Sequence, residues 1–73
     1  MWFWLIEVQM PDSSSKHIAS NYCFARYEDV RRHYNDELDN LELYMEEQEV
    51  GEVLEISFIW VPNRPNWERH RWN

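Results

Sequence analysis

Nine acids and no Lys or Arg lie between Asp36 and Glu55 of this 73-residue chain. Carboxylates at that density can stand in for the phosphates of a nucleic acid in front of a basic groove. If the segment is helical, the rise from Asp36 to Glu47 is about 16 Å, and its six acids give roughly one charge per 3 Å. The phosphates of one B-DNA strand are about 3.4 Å apart. Placed at 100° intervals with Tyr34 at the centre of an apolar stripe, Glu28, Asp36, Asp39, Glu42, Glu46 and Glu47 fall on the outward side. Glu42/Glu46 at i,i+4, and Asp36/Asp39 and Asp39/Glu42 at i,i+3, each weaken a helix by a few tenths of a kcal/mol, where a Lys or Arg would reverse the sign. Solubility alone explains many acidic faces, but bases are missing here where stability would favour them. Leu43 projects about 180° from the stripe, in the middle of the acids, with Tyr44 at the margin. An apolar residue ringed by charge has the pattern of an interface anchor. These acids, with Leu43, Tyr44 and, at the rim, Glu49 and Glu52, form the candidate partner-binding surface.

The remaining constellations are poorer. His33 and Glu37 have the i,i+4 spacing of helical metal ligands, but no second His lies nearby, and His17 and His70 are isolated. Ser13, Ser14 and Ser15 lack the framing of a nucleophile elbow. Cys23, beside Phe24, reads as a small buried hydrophobe. A single glycine excludes glycine-rich phosphate loops. The expectation is a protein that is not an enzyme and uses no metal and no cofactor.

Composition narrows the partners. A formal charge of −7 repels nucleic acids and anionic membranes and attracts basic grooves on other proteins. One cysteine precludes an internal disulfide and suits a reducing compartment. The start of the chain lacks the basic region and cleavage site of a signal peptide, and its apolar run is too short to span a bilayer. A cytoplasmic protein is expected. A chain this short buries only roughly 60% of its unfolded surface, a thin margin that five Trp, four Tyr and three Phe help to offset.

The elements that must position the acids follow from periodicity. Trp2, Trp4, Ile6, Val8 and Met10 alternate with Phe3, Leu5, Glu7 and Gln9, a period of two that marks a central strand. Pro11–Lys16 reads as a turn, and His17–Ala25 as a second strand with Ile18, Tyr22 and Phe24 on one face. Val30, Tyr34, Leu38, Leu41 and Met45 make one stripe along a helix from about Tyr27 to Gln48. Gly51 stands where a helix-to-strand turn would use it. Leu54, Ile56, Phe58 and Trp60 then alternate as a third strand, ended by Pro62.

The reading is one α+β domain, residues 1–62, of β-β-α-β order. A right-handed crossover gives an antiparallel three-stranded sheet of order 2-1-3, with one acidic amphipathic helix on one face. Phe3, Leu5, Ile59 and Val61 then point to the uncovered face and call for a cover. That cover is either a second copy of the chain or the Arg/Trp-rich tail, residues 63–73, with Trp67 and Trp72 folded back. The tail's Arg64, Arg69 and Arg71 with its Trp residues also suit single-stranded nucleic acid, although pairing with the chain's own acids is the simpler use.

In size, acidity and β-β-α-β organisation the chain resembles the compact acidic proteins that bacterial viruses use to block host DNA-handling or defence machinery. The likeness is to a functional class and rests on no sequence motif. It implies an inhibitor acting in the host cytoplasm as a DNA mimic. Its acidic helix would fill the basic groove of a nucleic-acid-binding host protein, such as a CRISPR effector, a restriction enzyme or gyrase. The alternative is a structural or regulatory module that homodimerises or binds a partner through its sheet.

Overall fold

The computed structural model describes residues 1–64 of the chain. The first strand, β1, runs over Trp2–Gln9, and its period of two appears as alternating burial, with Trp4, Ile6 and Val8 buried. It is the middle strand of a three-stranded antiparallel sheet of order β2-β1-β3, where β2 is Ser15–Ala19 and β3 is Glu52–Trp60. The expected topology is therefore present. Ile6 stands opposite Ile18 on one side and Ile56 on the other, a β-branched row across all three strands.

The turn between β1 and β2 is built on Asp12. Its Oδ1 accepts the Ser14 backbone N–H at 2.9 Å and the Ser14 hydroxyl at 2.5 Å, while Ser13 takes a φ of 70°. β2 is shorter than its apolar pattern predicts. Buried Ser20 donates its hydroxyl to the Tyr22 carbonyl at 2.8 Å and accepts the Trp4 N–H at 3.4 Å, which turns the chain out of the sheet. It returns only at Phe24, in an isolated bridge to Trp2. Tyr22 is exposed and Cys23 is buried in this loop, so neither occupies the predicted strand.

Two helices replace the single one expected. α1 is Tyr27–Asp36 and α2 is Leu38–Glu47, with the interruption at Glu37. The cause lies in the surrounding residues. Asn35, Asp36, Asp39 and Asn40 all have side chains that compete with the helical backbone, and Asn40 Nδ2 donates to Glu37 Oε2 at 3.1 Å. Val30 of α1 and Leu41 of α2 join Trp4, Ile6, Val8 and Ile18 in one core, so both helices pack on the same face of the sheet. Leu38, predicted to belong to the stripe, starts the second helix and is 45% exposed.

Trp4 has no solvent exposure. Its indole Nε1–H donates to His33 Nδ1 at 3.0 Å. An indole is donor-only, so Nδ1 must be the unprotonated nitrogen of that ring. Phe24 packs 4.9 Å from the same imidazole, and Tyr34 meets Trp4 edge-on at 5.8 Å. Burial pushes the Tyr34 phenol above its ordinary pKa.

Two outcomes follow. His33→Phe keeps an aromatic ring in place but strands the Trp4 N–H, and it should cost about 1–3 kcal/mol in urea denaturation; a loss below about 0.5 kcal/mol would show that the indole finds another acceptor. The Ser14 hydroxyl and amide hold the Asp12 carboxyl below its ordinary value of 3.8. A depressed carboxyl stabilises the fold above its unfolded pKa and loses that contribution as pH falls through the folded one. The stability gap between wild type and Asp12→Ala should accordingly be full near neutral pH and shrink below about pH 4. A gap that does not change with pH would leave the turn's geometry as the whole effect.

Candidate protein-interaction surface

α2 carries Asp39, Glu42, Glu46 and Glu47 and no base, a charge of −4. α1 carries Glu28, Asp29 and Asp36 against Arg31 and Arg32, so 3 acids less 2 bases leave −1 with His33 neutral. The acidic character predicted for one helix thus belongs to its second half. Asp36 is separated from the rest by the Glu37 interruption and lies in a hollow with Phe24, Asp29, Arg32 and His33.

The acids of α2 form two ridges. Asp39, Leu43 and Glu47, spaced i, i+4, i+8, lie on the outer side, all exposed, with Leu43 at 59%. Leu38, Glu42 and Glu46 form the next ridge, on the side toward β3. Glu42 and Glu46 line a hollow there with Met45, Val50, Glu52 and Val53. Glu52, placed at the rim by sequence, is therefore brought beside these two carboxylates. Tyr44 does not join the surface as expected. It is half-buried against the core, and Lys16 Nζ stands 6.0 Å from its ring centroid, on the β2 side.

Close base–acid contacts join His17 with Glu7, Arg32 with Asp29 and His33 with Glu37, and none of these involves the acids of α2, Glu49 or Glu52. The last turn of α2 holds Glu46 and Glu47 and no base, the unfavourable sign for the negative end of a helix dipole. Four acids over about 12 Å give a charge every 3 to 4 Å. The density of the predicted surface survives, over a shorter length.

Glu49 ends α2 in a way sequence reading assigned to Gly51. Its φ is 56°. Glu49 N–H donates to the Glu46 carbonyl at 3.1 Å and Val50 N–H to the Met45 carbonyl at 3.0 Å, the paired bonds of a Schellman cap. Gly51 does not have a positive φ. Its need is close approach: its N–H donates to the Gln9 carbonyl at 2.8 Å, and an added Cβ would sit 3.3 Å from that oxygen.

Phe3, Leu5, Ile59 and Val61, on the face away from the helices, are each half-buried. Trp67 and Trp72, offered as their cover, lie outside the described residues. The larger apolar exposure is elsewhere. Val53, Leu54, Ile56 and Trp60 of β3 are 41–56% exposed, and Val53, Ile56 and Trp60 stand opposite Val8, Ile6 and Trp2 on the helix side. Sequence reading buried these β3 residues under the helix. The available signal was width: strands about 4.8 Å apart make a three-stranded layer wider than one helix of about 10 Å can cover.

What the fold and surface define is a class: a small antiparallel α+β domain with a charge-polarised helix layer and an incompletely covered edge strand. Compared with known proteins, the chain matches no family model, no curated protein and no solved structure. No group of three or more potential metal ligands converges among the described residues, and no described helix is long and apolar enough to cross a membrane.

Glu49 yields a test of the cap. Glu49→Gly removes the steric cost of a left-handed side-chain-bearing residue and one charge from the negative helix end. It should raise unfolding stability by about 0.5–1 kcal/mol, measured by denaturant titration. Destabilisation would show that the Glu49 side chain holds a contact worth more than the relieved strain.

Proposed function

We propose that this chain is a protein-binding inhibitor of the phosphate-mimic type, of the kind bacterial viruses deploy. In this reading the acids of α2 enter the basic groove of a nucleic-acid-binding host protein and exclude its substrate. The observation that carries it is the outer ridge of α2. Asp39 and Glu47 flank an exposed Leu43, α2 itself carries no base, and the placement weakens the helix rather than supporting it. Charge gives fast, salt-sensitive association, and a central leucine gives the desolvated contact that fixes orientation. Glu42, Glu46 and Glu52 extend the negative field along the β3 side. The host cytoplasm is the setting this mechanism requires.

The test is capture from bacterial lysate by wild type and by Asp39→Lys/Glu47→Lys, with bound proteins identified and then challenged with duplex DNA. The expected result is a nucleic-acid-binding protein retained by wild type alone, released by DNA and by raised salt, with the reversal weakening it roughly 100-fold or more. Equal retention by both chains, or indifference to DNA, would end the mimic reading.

A further inference from the structure

We propose that the chain forms a symmetric homodimer by pairing the free edge of β3 with the same edge of a second copy, making one six-stranded sheet. This does not rest on the phosphate-mimic reading and uses a different surface. Both outer strands of the sheet have an unpaired side, but they are built differently. β2 is five residues long and carries Lys16, two of the devices by which natural edges resist pairing. β3 is nine residues long, Glu-Val-Leu-Glu-Ile-Ser-Phe-Ile-Trp, with no Lys and no Pro. Its only irregularity is a bulge at Leu54, where Glu7 pairs with Glu55 but Val8 with Val53. Among the described residues nothing pairs with its outer edge.

The sequence of β3 selects one register. Ile56, Phe58 and Trp60 stand opposite Ile6, Trp4 and Trp2 and share the helix-side face, so an antiparallel pairing must keep like parity opposite like, or apolar residues meet the polar face. Centring on Ile56, the middle residue of the strand, does so. Ile56 then faces its own copy, Leu54 faces the partner's Phe58, and Glu55 faces Ser57. Of the two neighbouring registers of the same parity, one sets Glu55 against itself, a like-charge pair that destabilises a sheet, and the other sets Glu55 against the apolar Ile59.

Charge supplies the second argument for a copy of this chain as the occupant. Arg31 of α1 lies over Phe58, its guanidinium carbon 4.8 Å from the ring centroid. Glu42 and Glu46 of α2 flank Val53 at the other end of β3. Two-fold pairing brings the Arg31 end of each copy to the Glu42–Glu46 end of the other, twice by symmetry. A cation of each copy thus meets acids of the other along this edge, although the chain carries a net charge of −7.

Sedimentation velocity of the full chain at about 50–100 µM should give a dimer, a range in which interfaces of modest size associate. Ile56→Lys, at a position 44% exposed, should give a folded monomer by circular dichroism. Arg31→Glu should weaken the dimer roughly tenfold or more, and adding Glu46→Arg in the same chain should restore it to within about threefold of wild type. A monomeric wild type would overturn the proposal, whether the edge is then covered by residues 65–73 or left bare. A dimer unaffected by Ile56→Lys, or an Arg31→Glu loss not rescued by Glu46→Arg, would overturn the register. Neither result bears on Asp39 and Glu47, which lie on the other ridge.

Discussion

Trp4 sits at the middle of the sheet with no exposure to solvent, and its indole hydrogen has His33 as acceptor. A buried N–H left unpaired costs about 1–3 kcal/mol, a large share of what a domain this small has to spare. The bond ties the second turn of α1 to the central strand, and Val30, one turn earlier, falls onto the same core. With α1 fixed there, α2 continues past Glu37 across the same sheet face, where Lys16 of β2 reaches Tyr44 and Gln48. α1 also reaches β3, where Tyr27, Tyr34 and Arg31 gather on Phe58, but Val53, Leu54, Ile56 and Trp60 are left exposed.

That incomplete cover leaves two surfaces of different character. The β3 side of the helix layer is apolar at its base, with Leu54 and Ile56 half in water, and charged above it, with Arg31 at one end and Glu42 and Glu46 at the other. The outer side of α2 carries Asp39, Leu43 and Glu47, on a helix with no base of its own. The interruption at Glu37 separates the Arg-bearing helix from the one that carries acids alone. A continuous helix would have run the acids of both halves along one line, whereas two helices leave an Arg-bearing segment followed by a purely acidic one.

Much of this was legible in sequence because it depends on period. Alternation in Trp2–Met10 and Leu54–Trp60 identified β1 and β3, and crossover handedness placed β1 between its neighbours. Less regular features escaped. Ser20 ends β2 through a hydroxyl bond to Tyr22, an event with no period to betray it. The Glu37 interruption depends on competition between Asn/Asp side chains and the backbone, while the apolar spacing across it remains helical. Tyr44 has the angular position of a margin residue but is drawn inward by packing. For the candidate surface, sequence supplied the identity and density of the acids. It did not supply their division into two ridges, because that follows from how α2 packs on the sheet.

A free strand of nine residues without Lys or Pro is a hazard in any small protein, because an edge that pairs once can pair again. An isologous contact removes the hazard where a head-to-tail one would propagate it. In the proposed dimer each copy would contribute its β3 edge, and the new outer edges would both be β2, short and bearing Lys16. The bulge at Leu54 restricts good pairing to the central residues of β3, where register is fixed by Ile56 and by the exclusion of Glu55 from its own image. The remaining acids then act over a longer range. With Arg31 set against the Glu42–Glu46 ridge inside the proposed pair, Asp39 and Glu47 would remain on the outside with Leu43 between them, so one side of α2 would complete an interface while the other keeps its acidic ridge.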